Sequence, residues 1–199
     1  MTIVRPLADP SERRRRRELL GSDHMAALAA YCETLRRPGL EVPDLDPLDG
    51  GTGARLLLLL EKPGPKTSAA RGGAGFVSFD NPDQTARASH VFCEAAGIDR
   101  TARVVWNVCP WWNGTIEFGG AEGQAGRAEL PRFLDLLPAL RVVVCVGRKA
   151  EAARPSLEAR GLRVFVSAHP SGQVRASFPD RWDAIPEVWG DAWEAARQL

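Results

Sequence analysis

Several things are scarce in this chain, and each scarcity excludes a class of protein. Charge of either sign is nearly absent in the balance: 26 Lys and Arg against 25 Asp and Glu leave a formal charge of +1 over 199 residues. A protein that coats nucleic acid would be strongly basic, so any such contact here has to be a local patch. Long apolar runs are missing. None approaches a bilayer span, and the run of five leucines, Leu56–Leu60, is a strand's length. The N-terminus has no apolar signal region, so a cytoplasmic location is expected, with association to the nucleoid if the substrate is DNA. The four cysteines, Cys32, Cys93, Cys109 and Cys145, form no C-x-x-C pair. Buried reduced thiols are the expected reading, and a zinc or iron–sulfur site the alternative. Apolar residues at 44% and charged residues at 26% are ordinary for a globular domain, which argues against a disordered or fibrous chain.

What the chain does have is alternation of short apolar runs with helical patterns. Residues 55–60, 103–108, 141–146 and 162–167 read as strands without polar alternation, the pattern of strands buried on both faces. Helical spacing covers 18–37, about 82–96, 127–138, 148–160 and 182–198. Asn81 and Pro82 read as N-cap and first helical residue of the second of these. The order β-α-β-α-β-α-β, with a helix at each end, predicts an α/β fold. Its form is a three-layer α/β/α sandwich around a four-stranded parallel sheet, in one domain over 1–199. Residues 1–17, with Arg13 to Arg17 in a row, are expected to form a flexible basic lead. A solvated helix start and non-specific phosphate contacts are the two readings of that run.

In such folds the working groups lie outside the carboxyl ends of the strands. Three loops qualify by position and content, whereas the loop after 141–146 holds only Gly147-Arg148-Lys149. The first begins Glu61-Lys62-Pro63-Gly64-Pro65-Lys66-Thr67-Ser68. Its prolines stiffen the turn and Gly64 lets another molecule approach the main chain. Glu61, at the end of a buried strand, reads either as an acid–base group raised by desolvation or as one half of a rim ion pair. No G-x-x-x-x-G-K-[ST] is present, so this is not a Walker loop. The loop continues through Gly72, Gly73 and Gly75 to Phe76 and Phe79, of which one is expected in the core and one at a pocket mouth. The second loop follows Asn107, an amide in an apolar run. It reads either as a reader of an amide-like edge or as a group bonded to local backbone. Trp111 and Trp112 beyond it read as wedge or as cover for the sheet edge. The third loop holds His169-Pro170-Ser171-Gly172, with an imidazole at the sheet's carboxyl edge. His24 and His90 fall on helical patterns and read as structural.

Taken together, these loops resemble the uracil-DNA glycosylase superfamily, over about residues 54–175. The resemblance rests on Leu60-Glu61-Lys62-Pro63-Gly64-Pro65, the Gly-rich segment ending in Phe76, Asn107 followed by Cys109-Pro110, and His169-Pro170-Ser171. Glu61-x-Pro63-Gly64 is similar to the Gly-Glu-Ala-Pro-Gly motif of the family-four enzymes, with Leu60 in place of its first Gly. Asn107-x-Cys109-Pro110 is closer to the single-strand-selective branch. Lys62 departs from the family: it stands where several branches place the Asp or Asn that orients the attacking water. The cysteine ligands of the family-four cluster are not all matched, so no cofactor and no metal are expected.

The resemblance implies a monofunctional glycosylase that flips uracil out of single- or double-stranded DNA and hydrolyses its N-glycosidic bond, leaving an abasic site. It implies Phe76 against the uracil ring, Asn107 on the N3–H and O4 edge, and His169 donating to the charge that develops on O2. Glu61 or Asp80 would orient water and stabilise the cationic sugar. Lys62, Pro63, Gly64 and Ser171 would line the base site. Gly64 sits where some branches carry a tyrosine that excludes the thymine methyl. Lys66, Thr67 and Ser68 would meet phosphates, and Gln173 and Arg175 would flank the flipped nucleotide. The partner implied is uracil-containing DNA, with no membrane role and a monomeric state expected. A lesion-binding module without turnover and an enzyme for free nucleosides or nucleotides are the competing expectations.

Overall fold

The computed structural model describes residues 5–198. The chain runs α1 (Pro10–Leu19), α2 (Ala26–Leu35), β1 (Asp44–Leu45), β2 (Leu56–Leu60), β3 (Phe76–Val77), α3 (Gln84–Ala95), β4 (Arg103–Asn107), α4 (Gly120–Leu134), β5 (Val142–Val146), α5 (Arg148–Glu151), α6 (Arg154–Glu158), β6 (Arg163–Ser167), α7 (Gly172–Ser177), α8 (Pro179–Asp183) and α9 (Ile185–Gln198). β2, β4, β5 and β6 form a parallel sheet in the order β4-β2-β5-β6. Its register sets Leu60 beside Asn107 and Val146 beside Ser167, so the carboxyl ends of all four strands finish at one rim.

The all-apolar strands are explained by their surroundings. Leu56, Leu57, Leu58 and Leu59 in β2 and every residue of β5 are fully buried, which only a sheet covered on both faces allows. Alternation along β4 identifies the two covers. Trp106 stacks on Phe133 of α4 at 5.2 Å between ring centroids and meets Tyr31 of α2, so α2 and α4 cover that face. Arg103 points the other way, with its guanidinium 5.1 Å from the Phe79 ring centre, and Phe79 in turn stacks on Trp189 of α9. Phe92 of α3 packs edge-on against the same Trp189. Asn107, two strand positions from Val105 and four from Arg103, shares the α3/α9 side. The Trp189 indole N–H donates to Ser167 Oγ at 2.9 Å and ties α9 to the end of β6.

Several expectations change; among them, the helix read at 148–160 is the pair α5 and α6, and the one read at 127–138 begins at Gly120 and ends at Leu134. The helical pattern at 18–37 resolves into two helices separated by a turn, with α1 beginning at Pro10 under an Asp9 cap. The expected flexible lead is therefore partly structural: Arg16 is 1% exposed. α3 starts two residues after Pro82, because Asp83 and not Asn81 caps it, accepting from the Ala86 N–H at 2.8 Å. A second, two-stranded parallel pair joins β1 to β3, built from residues read as loop. No helix among the described residues is long and apolar enough to cross a membrane.

Candidate active site at the carboxyl edge of the sheet

A cavity of about 340 Å³ opens at this rim. Its walls come from three distant parts of the chain: the loop after β2 with the segment 77–79, the end of β4 with the start of α3, and the loop after β6. Leu60, Pro63, Val77 and Phe79 supply apolar wall, and Asn81, Asp83, Asn107 and His169 supply polar groups. The volume lies within the range of small-molecule sites.

Asn107 is 2% exposed, and its amide nitrogen is buried without a partner. An unsatisfied buried donor costs about 1–3 kcal/mol, so the sequence alternative of an amide bonded to local backbone does not describe its nitrogen. His169 also lines the cavity. Burial lowers its pKa below the ordinary 6.5, while the charges of Glu61 and Asp83 pull in the opposite direction without prevailing. A neutral imidazole can donate from one ring nitrogen while the other accepts. Gly64 also lines the cavity, with open space where a side chain would project.

Glu61 is not among the residues that line the cavity. Its Oε1 accepts from the Lys149 N–H at 3.1 Å, in the first turn of α5, where the sequence shows only Gly147-Arg148-Lys149. Gly147 makes this possible: its φ is +93°, and a Cβ there would sit 2.6 Å from Glu61 Oε1 and 3.2 Å from His169 Cβ. The backbone of the third crossover thus holds the glutamate near enough to the histidine to act on the imidazole by charge.

The structure corrects several nominations. Phe76 is fully buried in a separate small core with Leu7 and Ala74 and does not line the cavity, whereas Phe79 does. The period-two geometry of β3 and the turn after it send these two rings to different places. Asp80 is enclosed by guanidinium groups: Arg16 bonds it at 2.6 Å and Arg100 at 2.9 Å. Burial would raise its pKa, but Arg100 and Arg16 outweigh burial and hold it below the usual carboxylate value. It has no free face for water or sugar. Ser68 is 1% exposed, and its hydroxyl donates to Glu41 at 2.8 Å, so it cannot meet a phosphate. Ser171 caps α7, accepting from the Val174 N–H. Lys62 touches the cavity, yet its ammonium donates to Asn113, the Glu117 carbonyl and Glu122, each at 2.8–2.9 Å. That contact clips the first loop to the second.

Other nominations remain accessible. Lys66, Gln173 and Arg175 are exposed, and Thr67 is half-buried with its hydroxyl donating to the Gly64 carbonyl at 2.7 Å. Pro63 is buried in the cavity wall. Trp112 is 3% exposed and Trp111 donates to Glu122 at 3.2 Å, which favours cover over wedge. All four cysteines are buried free thiols, and burial pushes Cys93, Cys109 and Cys145 up to about 12.

Two polar residues of the cavity wall stand outside the sequence nominations. The helix-start pattern of its neighbours hides Asp83, although a carboxylate at a helix N-cap beside a strand-end loop is a visible signal. Asn81 reads by sequence as the cap itself. It is 3% exposed, donates from Nδ2 to the Phe76 carbonyl at 2.9 Å, and keeps Oδ1 buried without a partner.

No protein-family model matches the chain, and no curated protein matches it. Among solved structures it is similar to the solution NMR structure of a "putative Uracil DNA glycosylase" from Methanosarcina acetivorans. The two are 18% identical, with 73% of this chain and 93% of that one covered, at a TM-score of 0.45.

Proposed function

We propose that this protein is a DNA glycosylase that hydrolyses the N-glycosidic bond of uracil in DNA by base flipping. The observation that carries the reading is the meeting of Asn107, His169 and Phe79 in one cavity at the sheet's carboxyl edge, with the Asn107 nitrogen left without a protein partner. The motif resemblance through Glu61-x-Pro63-Gly64, Asn107-x-Cys109-Pro110 and His169-Pro170-Ser171 points the same way.

In this reading the flipped base enters between Phe79 and the Pro63-Gly64 turn. Asn107 donates from its free amide nitrogen to O4. Bond cleavage leaves negative charge on uracil O2 and an oxocarbenium-like sugar. The neutral imidazole of His169 donates to that oxygen, a donor aimed in advance at developing charge. Asp83, rather than Glu61 or Asp80, lines the cavity; it carries negative charge towards the cationic sugar and orients the attacking water. Glu61 supports His169 by charge. Lys66, Gln173 and Arg175 provide the exposed local patch for phosphates, in keeping with a formal charge of only +1.

The test is a panel of single-lesion oligonucleotides, single- and double-stranded, assayed with EDTA present for alkali-labile abasic sites. Uracil-dependent strand scission is expected, and His169→Ala is expected to lower turnover by at least ~100-fold with DNA affinity retained. Binding of the uracil oligonucleotide with no abasic product would replace the enzyme by a lesion-binding module.

A further inference from the structure

Two amides face one cavity, and they differ in freedom. The nitrogen of Asn107 has no protein partner, so the protein does not hold that carboxamide in one of its two flip states by its donor end. A free carboxamide can present donor-then-acceptor or acceptor-then-donor, and so it matches the edge of uracil or, reversed, that of cytosine. Asn81 has no such freedom. Its Nδ2 donates to the Phe76 carbonyl at 2.9 Å, and the reversed amide would set oxygen against oxygen there. Its Oδ1 is therefore the end left over. It is buried without a donor, in a residue that is 3% exposed and lines the cavity. Native proteins leave few buried polar atoms in that condition, and this one belongs to a residue that lines an open cavity.

Resting on the functional reading above, we propose that Asn81 is a specificity-determining residue: its fixed Oδ1 receives the ring N–H of a lactam-type base while Asn107 Nδ2 donates to the adjacent carbonyl. Uracil satisfies both atoms, with N3–H and O4. Cytosine in the same register sets the N3 lone pair against the Asn81 oxygen, and 3-methyluracil sets a methyl there. The fixed amide thus supplies the discrimination that the unanchored one lacks. Asn107 is pinned only when the base arrives, because Asn81 has already claimed the N–H.

The experiment measures binding of deoxyuridine, deoxycytidine and 3-methyldeoxyuridine by NMR shift titration of the full chain, which needs no turnover. The wild type is expected to bind deoxyuridine about 10-fold or more tightly than the other two. Asn81→Ala is expected to bring all three within a factor of about 3, through loss of deoxyuridine affinity with deoxycytidine unchanged. Asn81→Asp keeps an oxygen at this place and, with its carboxyl protonated, still donates to the Phe76 carbonyl in place of the amide; titrated at a pH where it is protonated, it is expected to retain the preference for deoxyuridine. A melting curve for each variant reports whether it folds. An unchanged preference in Asn81→Ala overturns the proposal. So does an equal loss of affinity for every nucleoside in both variants, which would mark Asn81 as a prop for the Phe76 carbonyl. The outcome is separable from the glycosylase assay: selective nucleoside binding that depends on Asn81 without abasic product removes the enzyme reading alone, and abasic product with selectivity indifferent to Asn81 removes this one alone.

Discussion

Asp80 and Asn81 are neighbours in the chain and opposites in their surroundings. Asp80 belongs to a buried ionic cluster in which Arg16 and Arg100 bridge Asp46 and Asp80, Arg100 also reaches Asp49 at 3.0 Å, and Ser78 donates to Asp46. Its charged groups have charged partners. Asn81, one residue on, turns into a cavity where its own oxygen and the nitrogen of Asn107 are left without one. The contrast separates polar groups that hold a loop in place from polar groups left without a partner at the cavity. Burial alone does not distinguish them, since Asp80 is 5% exposed and Asn81 3%. Satisfaction of their hydrogen bonds does.

The largest expected effect comes from breaking the satisfied side. Arg16→Ala leaves Asp46 and Asp80 facing each other with only Arg100 between them, and removal of one partner from a buried ion cluster costs about 3–5 kcal/mol. Urea unfolding should show a loss of that order. A loss under about 1 kcal/mol would mean that the cluster is not what holds α1 and the segment 78–81 together.

The next comparison sets two carboxylates three residues apart against each other. Asp83→Asn keeps a good helix cap, since Asn and Asp cap almost equally well, so the melting temperature should hold while turnover on a uracil oligonucleotide falls by about 100-fold. Asp80→Asn should do the reverse: stability falls, most of all near neutral pH. The sign follows from its lowered pKa. The stabilisation from ionised Asp80 is complete above the unfolded value of about 3.9 and fades as pH falls through the lower folded value, so wild type and Asp80→Asn should converge in acid. Equal loss of turnover in both variants, with stability intact, would erase the division between the two regions.

Phe76 and Phe79 repeat the comparison among aromatic rings. Phe79→Leu should weaken binding of the uracil base by about 1–3 kcal/mol, the worth of one aromatic contact to a base. Phe76→Leu should lower stability and leave base affinity alone, because its ring packs with Leu7 and Ala74 outside the cavity. The opposite result in a nucleoside titration would return Phe76 to the site.

Sequence reading was strongest where burial forces composition. Leu56–Leu60, Val142–Val146 and the β4 run admit one arrangement, a strand covered on both faces, and the rule that sites gather at carboxyl ends then singled out Asn107 and His169. It was weakest where the answer depends on long-range partners. Nothing local says that Arg16 pairs with Asp80, 64 residues away, and so Asp80 looked free and Arg16 looked solvated. The Gly147 loop looked empty because its contribution is a backbone N–H and a missing Cβ, neither of which a residue list displays. Phe76 and Phe79 could not be separated because the two-residue strand between the glycines and Ser78 is too short to show a period.

The smallest effect is the finest probe of the cavity. Burial lowers the His169 pKa below 6.5, and Glu61 and Asp83 oppose it. Each carboxylate favours the imidazolium, so neutralising either one should lower the pKa further. NMR titration of the His169 ring should therefore give a midpoint below that of free imidazole in the wild type, with Glu61→Gln and Asp83→Asn each moving it down. Folding carries the same sign. A histidine whose charged form is disfavoured in the folded state costs stability as pH falls below its unfolded value, and costs none above it. If Glu61→Gln left the midpoint in place while Asp83→Asn moved it, the glutamate under Gly147 would serve the backbone of α5 alone, and the cavity's electrostatics would belong to α3. If either variant raised the midpoint, a cation not facing the imidazole in this structure would have to approach it, and the neutral donor assigned to His169 would lose its physical basis.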